Sequence, residues 1–287
     1  MKRRHFLGAG MAGAISLRNF PYPMFAAAKP KNATDRVTLG PRKIEVSRLA
    51  MGTGTSGSNG SSNQTRKLGY HGVAELFRAA YDQGITFWDS ADQYGSHTYI
   101  REALKTVPRD KVVILTKTNA TTAAGLKTDL DRYRRELGVD QIDVVLLHAV
   151  TAADWNVRLR PCMDVLSEAR DRGVVRSHGT SCHSLQALKT AAAEPWVEVD
   201  FARLNPAGLH MDSDPQTVAS VLRQMRQAGK GVVGMKILGQ GDLRGKADEA
   251  LQYAMAQDCL DAITIGSENR GEMEDLLRKI PAASVRG

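Results

Sequence analysis

Eight apolar runs of strand length alternate with eight helical patterns along this chain, and several of the runs close on polar or charged residues. The runs lie near 48–53, 85–89, 112–117, 142–148, 174–180, 197–202, 231–235 and 262–265. The helical patterns lie near 73–83, 97–107, 123–137, 160–172, 184–193, 215–228, 246–257 and 271–279. Continuous β-branched runs are the mark of strands buried on both faces of a parallel sheet. Strict strand–helix alternation over 287 residues without a linker favours a single closed (β/α)8 TIM barrel over a doubly wound sheet. Gly84, Gly138, Gly173 and Gly229 each fall between a helical pattern and the next run, where helix stops belong. Before the first run, Val37 to Val46 reads as a short hairpin around Gly40-Pro41. Residues 56–70, rich in Gly, Ser and Asn, read as an exposed loop over the barrel mouth. Their glycines lack the Lys-Ser/Thr of a phosphate-binding P-loop.

The first 28 residues stand apart from this pattern. Paired Arg3-Arg4 precede Phe6-Leu7, a weakly apolar stretch runs to Leu17, and Ala26-Ala27-Ala28 offers a small-residue cleavage site. The segment resembles a bacterial twin-arginine export signal, which implies the twin-arginine machinery as partner and a periplasmic or secreted location. Its apolar stretch is too short for a stable membrane span. Residues 29–287 are then the barrel domain. The formal charge of +8 includes Lys2, Arg3, Arg4 and Arg18, and without this acid-free segment the excess falls to +4. No basic tract with interleaved aromatics follows, so the charge does not point to nucleic acid. A modest positive excess suits an enzyme for a phosphorylated cofactor. Cys162, Cys182 and Cys259 are too few and too widely spaced for a disulfide framework or a zinc site.

Three runs end in Asp89, Lys117 and His148, and Tyr94 follows Asp89 by five residues. In a (β/α)8 barrel, residues at the carboxyl ends of the strands face one mouth. A tyrosine with a reference pKa near 10 is a slow proton donor or acceptor at neutral pH unless a neighbour assists it. A lysine ammonium about 4 Å away favours the phenolate by roughly 4 kcal/mol at an effective dielectric near 20, which predicts a lowered tyrosine pKa. Asp89 is the counter-charge that keeps a half-buried Lys117 protonated. His148 is placed to orient a substrate oxygen, and Tyr94 to protonate it.

Gly84-x4-Asp89-x4-Tyr94, followed by a strand ending in Thr-Lys117 and another ending in Leu-Leu-His148, resembles the aldo-keto reductase superfamily. The match runs along nearly all of residues 36–279. The resemblance implies NADP(H)-dependent reduction of a small carbonyl substrate without a metal, with NAD as the alternative cofactor. It places Gly52 and Thr53 at the cofactor. It assigns Ser181 to the nicotinamide amide, with Cys182 where relatives carry asparagine and Phe201 where they carry glutamine. On the seventh strand end it places Met235 at the nicotinamide and Lys236, Leu238 and Gly241 along the pyrophosphate. Gly266, Ser267 and Arg270 open the last helix, where Arg270 suits the 2′-phosphate of NADP and Glu268 would favour NAD. His97, His178, His183 and His210 do not form a His-x-His on the first strand or a His-Glu-x-x-His, so a metal hydrolase is not expected. Two other functions share these features: a cofactor-binding redox-sensing barrel with little turnover, and a non-redox barrel using Tyr94 on a sugar. Trp88 and Trp155 are candidates for a pocket that takes a planar or apolar carbonyl.

Overall fold

The computed structural model describes residues 30–285, so the export-signal reading falls outside the described residues. A two-stranded antiparallel hairpin, β1 (Arg36–Leu39) and β2 (Ile44–Ser47), comes first. Eight parallel strands follow: β3 (Leu49–Gly52), β4 (Phe87–Asp89), β5 (Val113–Thr118), β6 (Ile142–Val150), β7 (Val175–Cys182), β8 (Val199–Arg203), β9 (Gly231–Met235) and β10 (Ala262–Ile265). They pair in chain order, and β10 closes on β3, so the sheet is a barrel without an edge.

The helices between them are α1 (Asn63–Asp82), α2 (His97–Ala103), α3 (Ala123–Leu137), the short α4 (Trp155–Arg158), α5 (Arg160–Asp171), α6 (Leu185–Ala193), α7 (Pro215–Gln227), α8 (Ala247–Ala256) and α9 (Arg270–Ser284). Their starts follow local capping chemistry. Ser62, Thr122, Ser184, Asp214 and Asn269 each accept a hydrogen bond from the first turn of the helix they precede. The four glycines expected at helix stops all adopt positive φ, between 69° at Gly138 and 87° at Gly84. Among the described residues no helix is long and apolar enough to cross a membrane.

Alternate strand residues face inward. Ala50, Phe87, Leu115, Leu146, Phe201 and Val233 pack together inside the barrel, and the hairpin's Leu39, Ile44 and Val46 plug its floor. The opposite parity faces the helices, where Trp88 lies against Phe77. Because the parity that carries Phe87, Leu115 and Leu146 also carries Asp89, Lys117 and His148, those three side chains emerge at the mouth.

The loop expected over residues 56–70 is shorter than that. Ser62 and Thr65 form a capping box, and α1 begins at Asn63 and bends at Gly69 (φ 63°). The capping chemistry turns a Ser/Asn-rich stretch into a helical turn.

Candidate active site

The site is built at the ends of β4, β5 and β6, with Thr264 reaching in from β10 across β3. Lys117, inward-facing and 1% exposed, donates to Asp89 Oδ1 and, at 2.8 Å, to the Ser90 carbonyl. Thr264 on β10 donates to the other Asp89 oxygen at 2.8 Å. The Lys117 ammonium lies between two aromatic faces, 5.3 Å from the Tyr94 ring centroid and 5.0 Å from that of Phe201. Burial lowers the Lys117 pKa, and Asp89 opposes the shift.

Tyr94 sits in a 3-10 turn, Asp92–Tyr94, that follows β4. Arg132 on α3 grips this turn with two hydrogen bonds to Asp92, at 2.7 and 2.9 Å, and also bonds Asp129 and Glu136. From the other side the loop after β3 lies against the Tyr94 ring. A Cβ on Gly54 would fall 2.4 Å from the ring's Cε2 and Cζ, and one on Gly57 would fall 2.4 Å from its Cδ1. The loop is tied down by Gly60 N–H to Gln93 O (2.9 Å) and by Gln93 Nε2 to Gly57 O (3.3 Å).

His148 completes the group, with Nε2 3.4 Å from the Tyr94 hydroxyl. The β6–β7 register slips between Leu147 and Val150, and Ala149 there has φ 52°. A bulge with a strained non-glycine residue at a strand end re-aims the adjacent side chain, here His148. Burial, with repulsion from Lys117, His183 and Lys236, drops the His148 pKa to about 2, so the ring is neutral at physiological pH. The Tyr94 pKa moves opposite to the expected direction. Burial raises it above the ordinary value, and the Asp89 carboxylate raises it further. The Lys117 charge does not act alone on the phenol, because Asp89 pairs with it.

A cleft of about 480 Å³ opens from these residues toward the β9 and β10 ends. Of the residues singled out for the cofactor, Gly52, Met235, Lys236, Leu238, Gly241 and Gly266 line it. Ser181 and Ser267 are buried and not among the residues lining the cleft, and their hydroxyls have no hydrogen-bond partner among the described residues. Four others lie elsewhere. Thr53 is buried, its hydroxyl bonded to Asp89 O and Ser96. Cys182 has the parity opposite to Ser181, packs in the layer between barrel and helices, and bonds Asp200 at 3.3 Å. Phe201 is fully buried under Lys117. Arg270 pairs with Glu274 at 2.7 Å and borders a groove beside α1, outside the cleft.

Arg244 lines the cleft instead, with its guanidinium 2.9 Å from Glu268. Burial pushes the Glu268 carboxyl up, but hydrogen bonds from Lys67, Asn63 and Arg244 outweigh it and hold the pKa at about 2. Lys236 has φ 58° and no carboxylate partner among the described residues. Burial, followed by repulsion from Arg203 and Lys117, brings it down to about 8.

The sequence reading missed Thr264, the glycine clamp on Tyr94 and the cleft position of His183, which lies beside His148 with ring centroids 6.3 Å apart. The Gly54–Gly57 spacing was visible but reads as flexibility until the ring is in place; Thr264 carries no local signal. Trp88 is core and Trp155 is 1% exposed, so neither lines the main cleft. Among the described residues, Asp92, His97 and Glu136 are the one group spaced like metal ligands. The Arg132 guanidinium bonds both of its carboxylates, which makes the cluster an ion-pair network.

The chain as a whole matches one known family. A model described as the aldo/keto reductase family matches residues 48–258. The chain is 26% identical over 238 residues to D-threo-aldose 1-dehydrogenase of a Pseudomonas species, covering 70% of this chain and 71% of that protein. It is 29% identical over 166 residues to the aldo-keto reductase YhdN of Bacillus subtilis, covering 52% of this chain and 47% of the relative. The holo form of an aldo-keto reductase from Bacillus halodurans shares the fold, with a TM-score of 0.70 at 18% identity over 86% of this chain and 91% of that one. On this match the chain belongs to the aldo/keto reductase family, oxidoreductases of the carbonyl–alcohol pair.

Proposed function

We propose that the protein reduces an aldehyde or ketone to an alcohol with NADP(H), Tyr94 serving as general acid. The observation that carries this reading is the Tyr94 hydroxyl 3.4 Å from a neutral His148, above a buried Lys117–Asp89 pair. A carbonyl oxygen placed between Tyr94 and His148 receives a hydrogen bond from each, with His148 donating from Nε2. A raised phenol pKa keeps Tyr94 protonated at neutral pH, so it enters the reduction as an acid. As its proton leaves, the Lys117 ammonium 5.3 Å from the ring stabilises the phenolate. Asp89 and Thr264 hold that ammonium in place.

The chain's own residues suit a dinucleotide. Ser181 and Ser267 offer buried hydroxyls without partners among the described residues, at the two places where the resemblance puts the amide and the phosphate. Lys236 and Arg244 give the cleft between them a positive lining. When bound, the nicotinamide supplies the hydride. With Arg270 outside the cleft, the NADP reading rests on Lys236 and Arg244, while the ionised Glu268 works for NAD.

One experiment covers these points. NADPH and NADH are titrated by tryptophan fluorescence, and NADPH oxidation is followed over an aldehyde panel, with Tyr94→Phe alongside. Loss of at least about a hundredfold in turnover with NADPH binding retained is expected. Turnover that survives in Tyr94→Phe would remove the tyrosine from its role, and tighter NADH than NADPH binding would reverse the cofactor preference. The aldose named in the Pseudomonas relative's activity favours a hydroxylated substrate.

We also propose that residues 1–28 direct export by the twin-arginine route. Fractionation of cells expressing the full chain should find the protein in the periplasm or medium, and retention in the cytoplasm would refute it.

A further inference from the structure

Lys117 and Tyr94 must stand close, because the hold of an ammonium on a forming phenolate falls with distance. Yet among the described residues no hydrogen bond joins them. Lys117 bonds Asp89 and the Ser90 carbonyl, and the Tyr94 hydroxyl bonds His148. They also belong to different elements, Lys117 to β5 and Tyr94 to the turn after β4. A single guanidinium on α3 reaches both elements. Arg132 holds Asp92 through a fork of two bonds, 2.7 Å from Nη1 and 2.9 Å from Nη2, and Asp92 opens the 3-10 turn that ends in Tyr94. Nη2 also bonds Asp129 at 2.8 Å, and the other Asp129 oxygen accepts from the Thr118 hydroxyl at 3.1 Å. Nη1 bonds Glu136 at 3.1 Å, and Glu136 bonds His97 Nδ1 at 2.8 Å. His97 Nε2 in turn meets the Thr116 hydroxyl at 2.7 Å. Thr116 and Thr118 are the two chain neighbours of Lys117, and both are buried. The network therefore ties the turn of Tyr94 to β5 on either side of Lys117.

An exposed ion pair contributes little unless it is bidentate or part of a network, and this one is both. A hydrogen bond from His97 lowers the Glu136 pKa, burial opposes the shift, and Arg132 adds to the lowering. Arg132, Asp92, Asp129 and Glu136 do not line the cleft, so they act on the reaction only through the residues they hold. We propose that Arg132 is a positioning residue for proton transfer, fixing Tyr94 at its working distance from Lys117. This rests on the reductase reading above and adds the group that keeps its acid in place.

The test measures single-turnover reduction of an aldehyde at saturating NADPH, beside the NADPH dissociation constant from tryptophan fluorescence. Arg132→Ala and the isosteric Asp92→Asn should each slow the reaction at least about tenfold, because a small misplacement of a reacting group is costly. The dissociation constant should stay that of the wild type in both, which also reports an intact barrel. The double variant should be no slower than the slower single one, since both changes break one contact. Arg132→Lys keeps the charge without the fork and should recover only part of the rate. In a Tyr94→Phe background, Arg132→Ala should slow the residual reaction no further, whereas a general structural defect would. A rate near that of the wild type in Arg132→Ala or in Asp92→Asn overturns the proposal. So does a further loss in the Tyr94→Phe background, or weaker NADPH binding that accounts for the effect. Should Arg132→Ala not fold, Asp92→Asn and Arg132→Lys decide the question. No turnover of any aldehyde by the wild type, with NADPH bound, overturns the reductase reading and this proposal with it.

Discussion

Gly54→Ala is expected to lower turnover at least about a hundredfold while leaving dinucleotide binding measurable. The new methyl would stand 2.4 Å from Cε2 and Cζ of Tyr94, closer than any carbon contact allows. Because Gly54 leads into a loop fastened by the Gly60–Gln93 backbone bond, the ring is the part that moves. A displacement of about 1 Å in a catalytic group costs on the order of a hundredfold. Gly57→Ala attacks the same ring at Cδ1 and should act in the same way. Gly245→Ala, whose Cβ would meet nothing within 4 Å, serves as the control. Single-turnover rates at saturating NADPH measure the effect. An unchanged rate in Gly54→Ala would mean that the loop yields and does not fix the tyrosine.

Lys117→Met should be the most destabilising substitution in the site, by about 3–5 kcal/mol, since it strands the Asp89 carboxylate without its counter-charge. The Asp89 side chain is 8% exposed and, among the described residues, keeps only the Thr264 hydroxyl as partner. For a barrel of this size the loss corresponds to a fall of roughly 10 °C in Tm. A buried carboxylate without a counter-charge is destabilising only while it is ionised. The deficit is therefore smallest below about pH 4 and grows as pH rises through neutrality. Adding Asp89→Asn removes the uncompensated charge and should recover much of the stability but no activity. Calorimetry of the two variants at pH 4 and pH 7 checks both the size and the sign. A single variant within 1 kcal/mol of the wild type at pH 7 would show that water enters and solvates Asp89.

Strand parity explains why some of this site was legible in the sequence. Period-2 alternation and the strand ends place Asp89, Lys117 and His148 on one face with no knowledge of the fold beyond the barrel. Ser181 and Cys182 show the limit of that reading. They are adjacent, so only one can face inward, and register with Phe201 gives the inward position to Ser181. Arg270 lies outside the cleft for a similar reason. The turn of α9 decides its direction, and the i+4 carboxylate of Glu274 draws it away from the cleft. In the Gly/Ser-rich loop, composition signals mobility, yet Gly54 and Gly57 are small because a tyrosine ring occupies the space.

The sequence by itself determined the barrel, the order of its strands and the four residues of the proposed proton-transfer group. Those features rest on local signals: runs of β-branched residues, glycine stops and polar strand ends. Only the tertiary structure decided the opposite sense of the Tyr94 pKa shift, the Thr264 brace on Asp89, and the positions of Arg244 and His183 in the cleft. Each of these joins segments far apart in the chain, as Thr264 and Asp89 are, 175 residues from one another. Distance, desolvation and charge pairing across such separations exist only once the barrel has closed.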